Sequence, residues 1–187
     1  TSLPLGVVTL TEAYAHLPDA EAYQAMLDHC SEVIEDWKGT KAIRSAMGLR
    51  GAHLIGTSGT VTCLAGVYLK LDRYRRDRVD GTWMSRKSGE EVLNMLRAAG
   101  PDGRAALPTI GEERAGLMLA GCAILDALWR AYPAGRLRVG DRGLREGLLL
   151  SMMYGKKPAR RRRGGRKRGG GAGEAAPTQT SSPSAEN

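Results

Sequence analysis

The sequence predicts an α/β domain whose sheet has a parallel component, followed by a basic tail with no core of its own. Three observations carry this reading. Residues 54–71 pass from a short apolar run, through a glycine turn, into helical periodicity. Residues 112–131 are apolar almost all round, the pattern of a helix enclosed on most sides. After Tyr154 the composition shifts abruptly to Arg, Lys and Gly, then to Gly, Ala, Pro, Ser and Thr.

From the start of the chain, residues 2–10 are rich in Leu and Val and read as a strand, with Pro4 suiting an edge or first position. A turn or short helix over 11–17 follows. Asp19 is placed to cap a helix running to about Trp37. Tyr23, Met26, Leu27, Cys30, Val33, Ile34 and Trp37 form its apolar stripe, expected to pack on a sheet. Residues 51–55 read as the second strand. Arg and Asp alternate over 72–80, which suits either a phosphate-facing patch or a solvated loop. Residues 79–84 can be extended. Ser88 with Glu91 forms a capping box for a helix through Ala99, which Gly100-Pro101-Asp102-Gly103 breaks. Gly111 precedes the long apolar helix, with Glu112 and Glu113 suited to its positive end. Leu137 and Val139 alternate inward on a third strand over 136–140. Asp141 is then expected to cap a final helix with Leu144, Leu148 and Met152 on one face. Strands alternating with helices in this way indicate an α/β architecture.

The chain of 187 residues is 42% hydrophobic and has no phenylalanine, so Leu, Val, Met and three Trp must fill the core. Its net charge of +8 is unevenly spread. Residues 156–168 hold nine Lys/Arg and no acid, so the segment 156–187 carries +7 and the remainder about +1. Such a tail cannot bury enough apolar surface to offset its ordering entropy and is expected to be disordered. Cys30, Cys63 and Cys122 are widely spaced without a CxxC motif. They read as buried reduced thiols, which points to a cytoplasmic protein. His16, His29 and His53 show no metal-ligand spacing. No apolar run is long enough to span a bilayer, and no membrane partner is expected. Thr1 leads at once into the first expected strand, which reads as a piece of a longer protein.

The organising stretch is Gly56-Thr57-Ser58-Gly59-Thr60-Val61-Thr62. Glycines allow a sharp turn and close approach of a ligand, and N–H groups at a new helix N-terminus favour an anion. The same residues also suit a tight turn that binds nothing, since they form neither a Walker A loop nor a dinucleotide fingerprint.

That stretch resembles the "GT-small-GT-V-T" segment of the exopolyphosphatase / guanosine pentaphosphate phosphohydrolase (Ppx/GppA) family. Three more segments fall in that family's order: Ser2-Leu3-Pro4-Leu5-Gly6 with Leu10-Thr11-Glu12, Arg114-Ala115 with Ala120-Gly121, and Asp141-Arg142-Gly143-Leu144-Arg145-Glu146-Gly147. The resemblance implies a partial RNase H-like domain of the actin/sugar-kinase/Hsp70-like superfamily. It would be the second domain, over 1–155, lacking its first strands, with the disordered tail over 156–187. It implies hydrolysis of terminal phosphoanhydrides of polyphosphate, or of the 5′ phosphate of guanosine pentaphosphate, by water with Mg²⁺. The family's catalytic glutamate, its "DxGSNS" and "DIGGGS" loops and its metal ligands would lie upstream. This chain alone is therefore expected to be inactive. Gly56, Thr57, Ser58, Gly59, Thr60 and Arg114 become the candidate phosphate contacts, Arg114 equally suiting a structural ion pair with a neighbouring acid, and Arg145 second in rank and in competition with a structural Arg145–Glu146 pair. If residues 2–10, 51–55 and 136–140 are the third, fourth and fifth strands, two places between the third and fourth are empty. Residues 2–10 would be detached, or a sheet edge beside 51–55 exposed. Re-pairing, a homodimer or a separately made upstream half could close the gap. The alternative reading is a non-catalytic module that binds RNA or polyphosphate through 156–168 by salt-dependent attraction, without aromatics to stack bases.

Overall fold

A computed structural model describes residues 1–49 and 51–154. The expectations for residues 156–187 lie outside the described residues. The chain runs α1 (Val7–Ala13), α2 (Asp19–Asp36), α3 (Thr40–Met47), β1 (Leu54–Gly56), α4 (Gly59–Tyr68), α5 (Arg76–Val79), β2 (Trp83–Ser85), α6 (Arg86–Ala98), α7 (Gly100–Ala105), α8 (Glu112–Ala131), β3 (Arg136–Val139) and α9 (Leu144–Tyr154). The architecture is α/β, and helices dominate it.

Helix α8 is the centre, as its composition requires. It buries residues on nearly every side, including Met118, Cys122, Leu125 and Trp129, and packs against α1, α2, α4, α6 and α7. Gly111 precedes it at φ 71°, a left-handed conformation that glycine adopts without strain. Helix α2 buries Ala22, Tyr23, Met26, Leu27, Cys30 and Ile34 at helical spacing. That face lies on α8, where the sequence suggested a sheet. Each fully buried side chain of this size contributes on the order of 1.5–3 kcal/mol through removal from water.

The sheet has three strands in the order β1-β3-β2. β1 is parallel to β3, with Leu54 opposite Leu137 and Gly56 opposite Val139. β2 is antiparallel to β3, with Trp83 opposite Arg138. Leu137, Val139 and Met84 point into the core, while Arg136, Arg138, Trp83 and Ile55 point outward. The parallel pairing of residues 54–56 with 136–139 and, among the described residues, the unpaired edge of β1 agree with the sequence reading.

Four expectations are corrected. Residues 2–10 form no strand: a helix begins at Val7, capped by the extended Gly6, because no neighbouring strand is present among the described residues to pair with an extended segment. Helix α6 starts at Arg86 and its cap is Ser85, whose hydroxyl accepts the Ser88 N–H at 3.0 Å, so Ser88 lies inside the first turn. Gly100-Pro101 ends α6 but also opens α7, since proline is favoured in a first helical turn. Helix α9 buries none of its residues: Leu144 is 80% exposed and Met152 79%.

Candidate functional site

β1 delivers the chain into the glycine turn beneath its open edge. A Cβ on Gly56 would sit 2.7 Å from a Val61 methyl, so only glycine lets the strand turn this tightly. Ser58 is extended and caps α4, its hydroxyl accepting the Val61 N–H at 3.3 Å. The N–H groups of Gly59 and Thr60 precede the first intrahelical bonds and find no partner among the described residues. Gly59 has open space where a side chain would be. The first turn of α4 therefore presents bare backbone donors at the positive end of the helix dipole.

Thr57, Ser58 and Gly59 of this turn line a cleft of about 660 Å³. Three arginines from three elements reach it: Arg76 from α5, Arg114 from the first turn of α8, and Arg145 from the first turn of α9. Arg114 is steered by a weak contact from Nη1 to the buried Cys63 Sγ at 3.5 Å, which leaves the other guanidinium donors available. Arg76 grips Asp141 at two points, Nε to Oδ2 at 2.6 Å and Nη2 to the carbonyl oxygen at 2.7 Å. The Asp141 N–H in turn donates to Asp80 Oδ1 at 2.9 Å. Burial pushes the Asp141 carboxyl up, but its interactions with Tyr74 and Arg76 outweigh this and hold it below its ordinary value. Burial, then the neighbouring Asp141 carboxylate, push the Tyr74 hydroxyl up to about 12, so it remains a protonated donor. Glu146 accepts the Gly143 N–H at 2.8 Å, which keeps its carboxyl low and closes the entry to α9.

Of the residues singled out by sequence, Thr57, Ser58, Gly59, Arg114 and Arg145 line this cleft. Gly56 and Thr60 do not. The Gly56 carbonyl accepts the Gly140 N–H at 2.8 Å, and the Thr60 side chain lies against Gly121. Both border an apolar groove of about 340 Å³ between β1, α1 and α8. Asp141 is no helix cap, because Arg76 and Asp80 hold it before the helix begins. Glu146 closes onto Gly143 and makes no ion pair with Arg145. Thr62, Tyr74 and Arg76 also line the cleft; Tyr74 and Arg76 lie in the 72–80 run, which from sequence suits a phosphate-facing patch as well as a solvated loop. The alternating Arg/Asp run around Arg76 was the available signal, but its partner is 65 residues away.

The carboxylates of the cleft are engaged by Arg76 and by the Gly143 N–H, and no group of three or more His, Cys, Asp or Glu among the described residues is placed to hold a metal ion. This donor set does not fit a magnesium site built by these residues alone.

A glycine turn opens a helix onto an arginine-lined cleft, on a parallel strand pair of an α/β protein. Residues 1–155 match the Ppx/GppA phosphatase family, and the chain belongs to it. The crystal structure of the Aquifex aeolicus member of the Ppx/GppA family is similar at TM-score 0.70 and 22% identity, over 85% of this chain and 50% of that one. An exopolyphosphatase from Cytophaga hutchinsonii is similar at TM-score 0.60 and 22% identity, over 72% of this chain and 42% of that one. An exopolyphosphatase-like protein is similar at TM-score 0.70 and 21% identity, over 82% and 50%. The chain thus spans about half the length of the solved structures it matches, and at these identities they show the fold. The comparison with curated proteins gives no match. No helix among the described residues is long and apolar enough to cross a membrane.

Proposed function

We propose that this chain forms one wall of the active cleft of a phosphoanhydride hydrolase and binds the terminal phosphates of polyphosphate or guanosine pentaphosphate. The convergence of the α4 N-terminus with Arg76, Arg114 and Arg145 carries this reading. Hydrolysis of a phosphoanhydride is catalysed mainly by positioning and by stabilising charge on the transferred phosphoryl oxygens. The Gly59 N–H at the open end of α4 would hold a phosphoryl oxygen, and Arg114 would stabilise charge on the chain behind it. Arg76 and Tyr74 would fix Asp141 at the rim.

A base for the attacking water must be free and close to its working pKa. Asp141 meets neither condition, being ion-paired and held low. The reading therefore assigns the base, and any magnesium ligands, to groups other than these, and expects binding by this chain without turnover.

The test is calorimetric titration of the full chain with tripolyphosphate, beside a phosphate-release assay with Mg²⁺. Charge-assisted hydrogen bonds contribute about 1.5–3 kcal/mol, so Arg114→Ala is expected to weaken binding by roughly 10- to 100-fold. Binding unaffected by Arg114→Ala would refute the site. Phosphate release above the no-protein control would refute the division of labour.

The nine Lys/Arg of 156–168 support a second, separate polyanion contact. Retention on heparin should fall steeply with salt and be lost on deletion of 156–187. Retention unchanged by the deletion would exclude it.

A further inference from the structure

The outward face of the sheet carries a cluster that the phosphate cleft does not use. Across the three strands, Ile55, Arg138 and Trp83 form one row in register, all exposed. Arg136 stands two residues from Arg138 on the same face. Its guanidinium lies 4.3 Å from the Trp83 ring centre, and that of Arg138 lies 5.3 Å away. The His53 ring meets the indole edge-on at 4.8 Å. Trp83 is 38% exposed, an unusual position for the largest apolar side chain.

The charges here are uncommitted. Six arginines of the described chain are ion-paired, namely Arg44, Arg75, Arg76, Arg86, Arg104 and Arg130. Arg136 and Arg138 make no ion pair among the described residues. The site thus combines a partly exposed indole, two guanidiniums stacked on it that a stronger partner can draw away, and exposed strand residues around it. Nine further Lys/Arg follow in sequence at 156–168.

We propose that this sheet face binds single-stranded nucleic acid, with a base stacked on Trp83 and the flanking phosphates on Arg136 and Arg138. The complementarity selects this ligand. Inorganic polyphosphate would satisfy the arginines but has nothing to place on the indole. A duplex hides its base faces inside the stack. An unpaired strand offers both a π-face and phosphates at adjacent positions, and an aromatic ring on an open sheet is a stacking platform that tolerates any base. A guanidinium–indole contact at an exposed site is weaker than base stacking, so a base can replace one guanidinium on the ring. The inference is independent of the phosphate cleft, which lies at the end of β1 and uses none of these side chains.

The experiment measures fluorescence anisotropy of a labelled 12-nucleotide oligouridine with the full chain. The same proteins are titrated with inorganic polyphosphate as a base-free polyanion. Trp83→Ala is expected to weaken oligouridine binding about tenfold and Trp83→Phe to recover most of it, with polyphosphate affinity unchanged in both. An abasic strand of equal length should bind the wild-type chain about tenfold more weakly than oligouridine, a comparison that needs no variant to fold. Equal binding of the abasic strand, wild-type affinity in Trp83→Ala, or parallel loss of oligouridine and polyphosphate binding would overturn the proposal. So would a homodimer that Trp83→Ala dissociates and oligouridine leaves intact, since the face would then be covered by a second copy.

Discussion

Arg76 and Asp141 meet through two hydrogen bonds, one to the carboxylate at 2.6 Å and one to the backbone carbonyl at 2.7 Å, although 65 residues separate them. The pair ties the short helix α5 to the turn that follows β3, and it fixes one rim of the cleft. Because the contact uses the backbone as well as the side chain, it sets the path of the chain into α9 and not only a local charge.

Its pH dependence follows from the direction of the Asp141 shift. A carboxyl held below its ordinary value of 3.8 in the folded state adds stability that is fully present above that pH. This contribution is lost as pH falls through the lower, folded value. Asp141→Asn should therefore lower the melting temperature at pH 7, and the gap from wild type should close as the pH falls below 3.8. Thermal melts from pH 7 down to strongly acidic conditions measure this. A gap that stays constant across the range would show that Asp141 acts through packing alone.

Two glycines near the cleft should separate binding from folding. A side chain on Gly59 meets nothing, so Gly59→Val should fold nearly as well as wild type yet bind tripolyphosphate at least about tenfold more weakly, by covering the exposed N–H groups. Gly121 lets α8 pass close to Thr60, and a methyl there would collide with that side chain. Gly121→Ala should cost about 1–3 kcal/mol in stability, as overpacking does. Urea unfolding and calorimetry on both variants give the comparison. Equal loss of stability and affinity in Gly59→Val would reduce the glycine turn to a structural element.

The thiols should be inert. Cys30, Cys63 and Cys122 are fully buried, and burial pushes Cys30 up to about 11 and Cys122 up to about 12. Because the thiolate is the reactive form, labelling with Ellman's reagent at pH 7–8 should be slow in the folded chain and complete on denaturation. Rapid modification of any one thiol in the native state would contradict the packing around α8 and α2.

What could be read from sequence divides by the range of the interactions. Helix α8, the turn into α4 and the inward alternation of Leu137 and Val139 are written in local periodicity, and the structure carries them as read. Residues 2–10 misled because Leu and Val suit a strand only where a neighbouring strand exists, and Val7 instead begins a helix. Helix α3 escaped notice, since Ile43 and Met47 are too few to mark an apolar stripe. In the cleft, Gly59 stood out through local pattern and Arg114 through the family resemblance. Arg76, Tyr74 and Asp141 are joined only by the tertiary fold, so Asp141 resembled a helix cap and Arg76 a solvated charge.

The central claim is that phosphate chains bind at the first turn of α4 beside Arg114. Titration of the ¹⁵N-labelled full chain with tripolyphosphate, followed by amide NMR, locates the contact directly. The account expects saturable shifts at Gly59, Thr60 and Val61, with matching shifts at Arg114 and the 143–146 turn, all suppressed in Arg114→Ala. Shifts confined to residues 156–168, with the α4 amides unmoved, would contradict it.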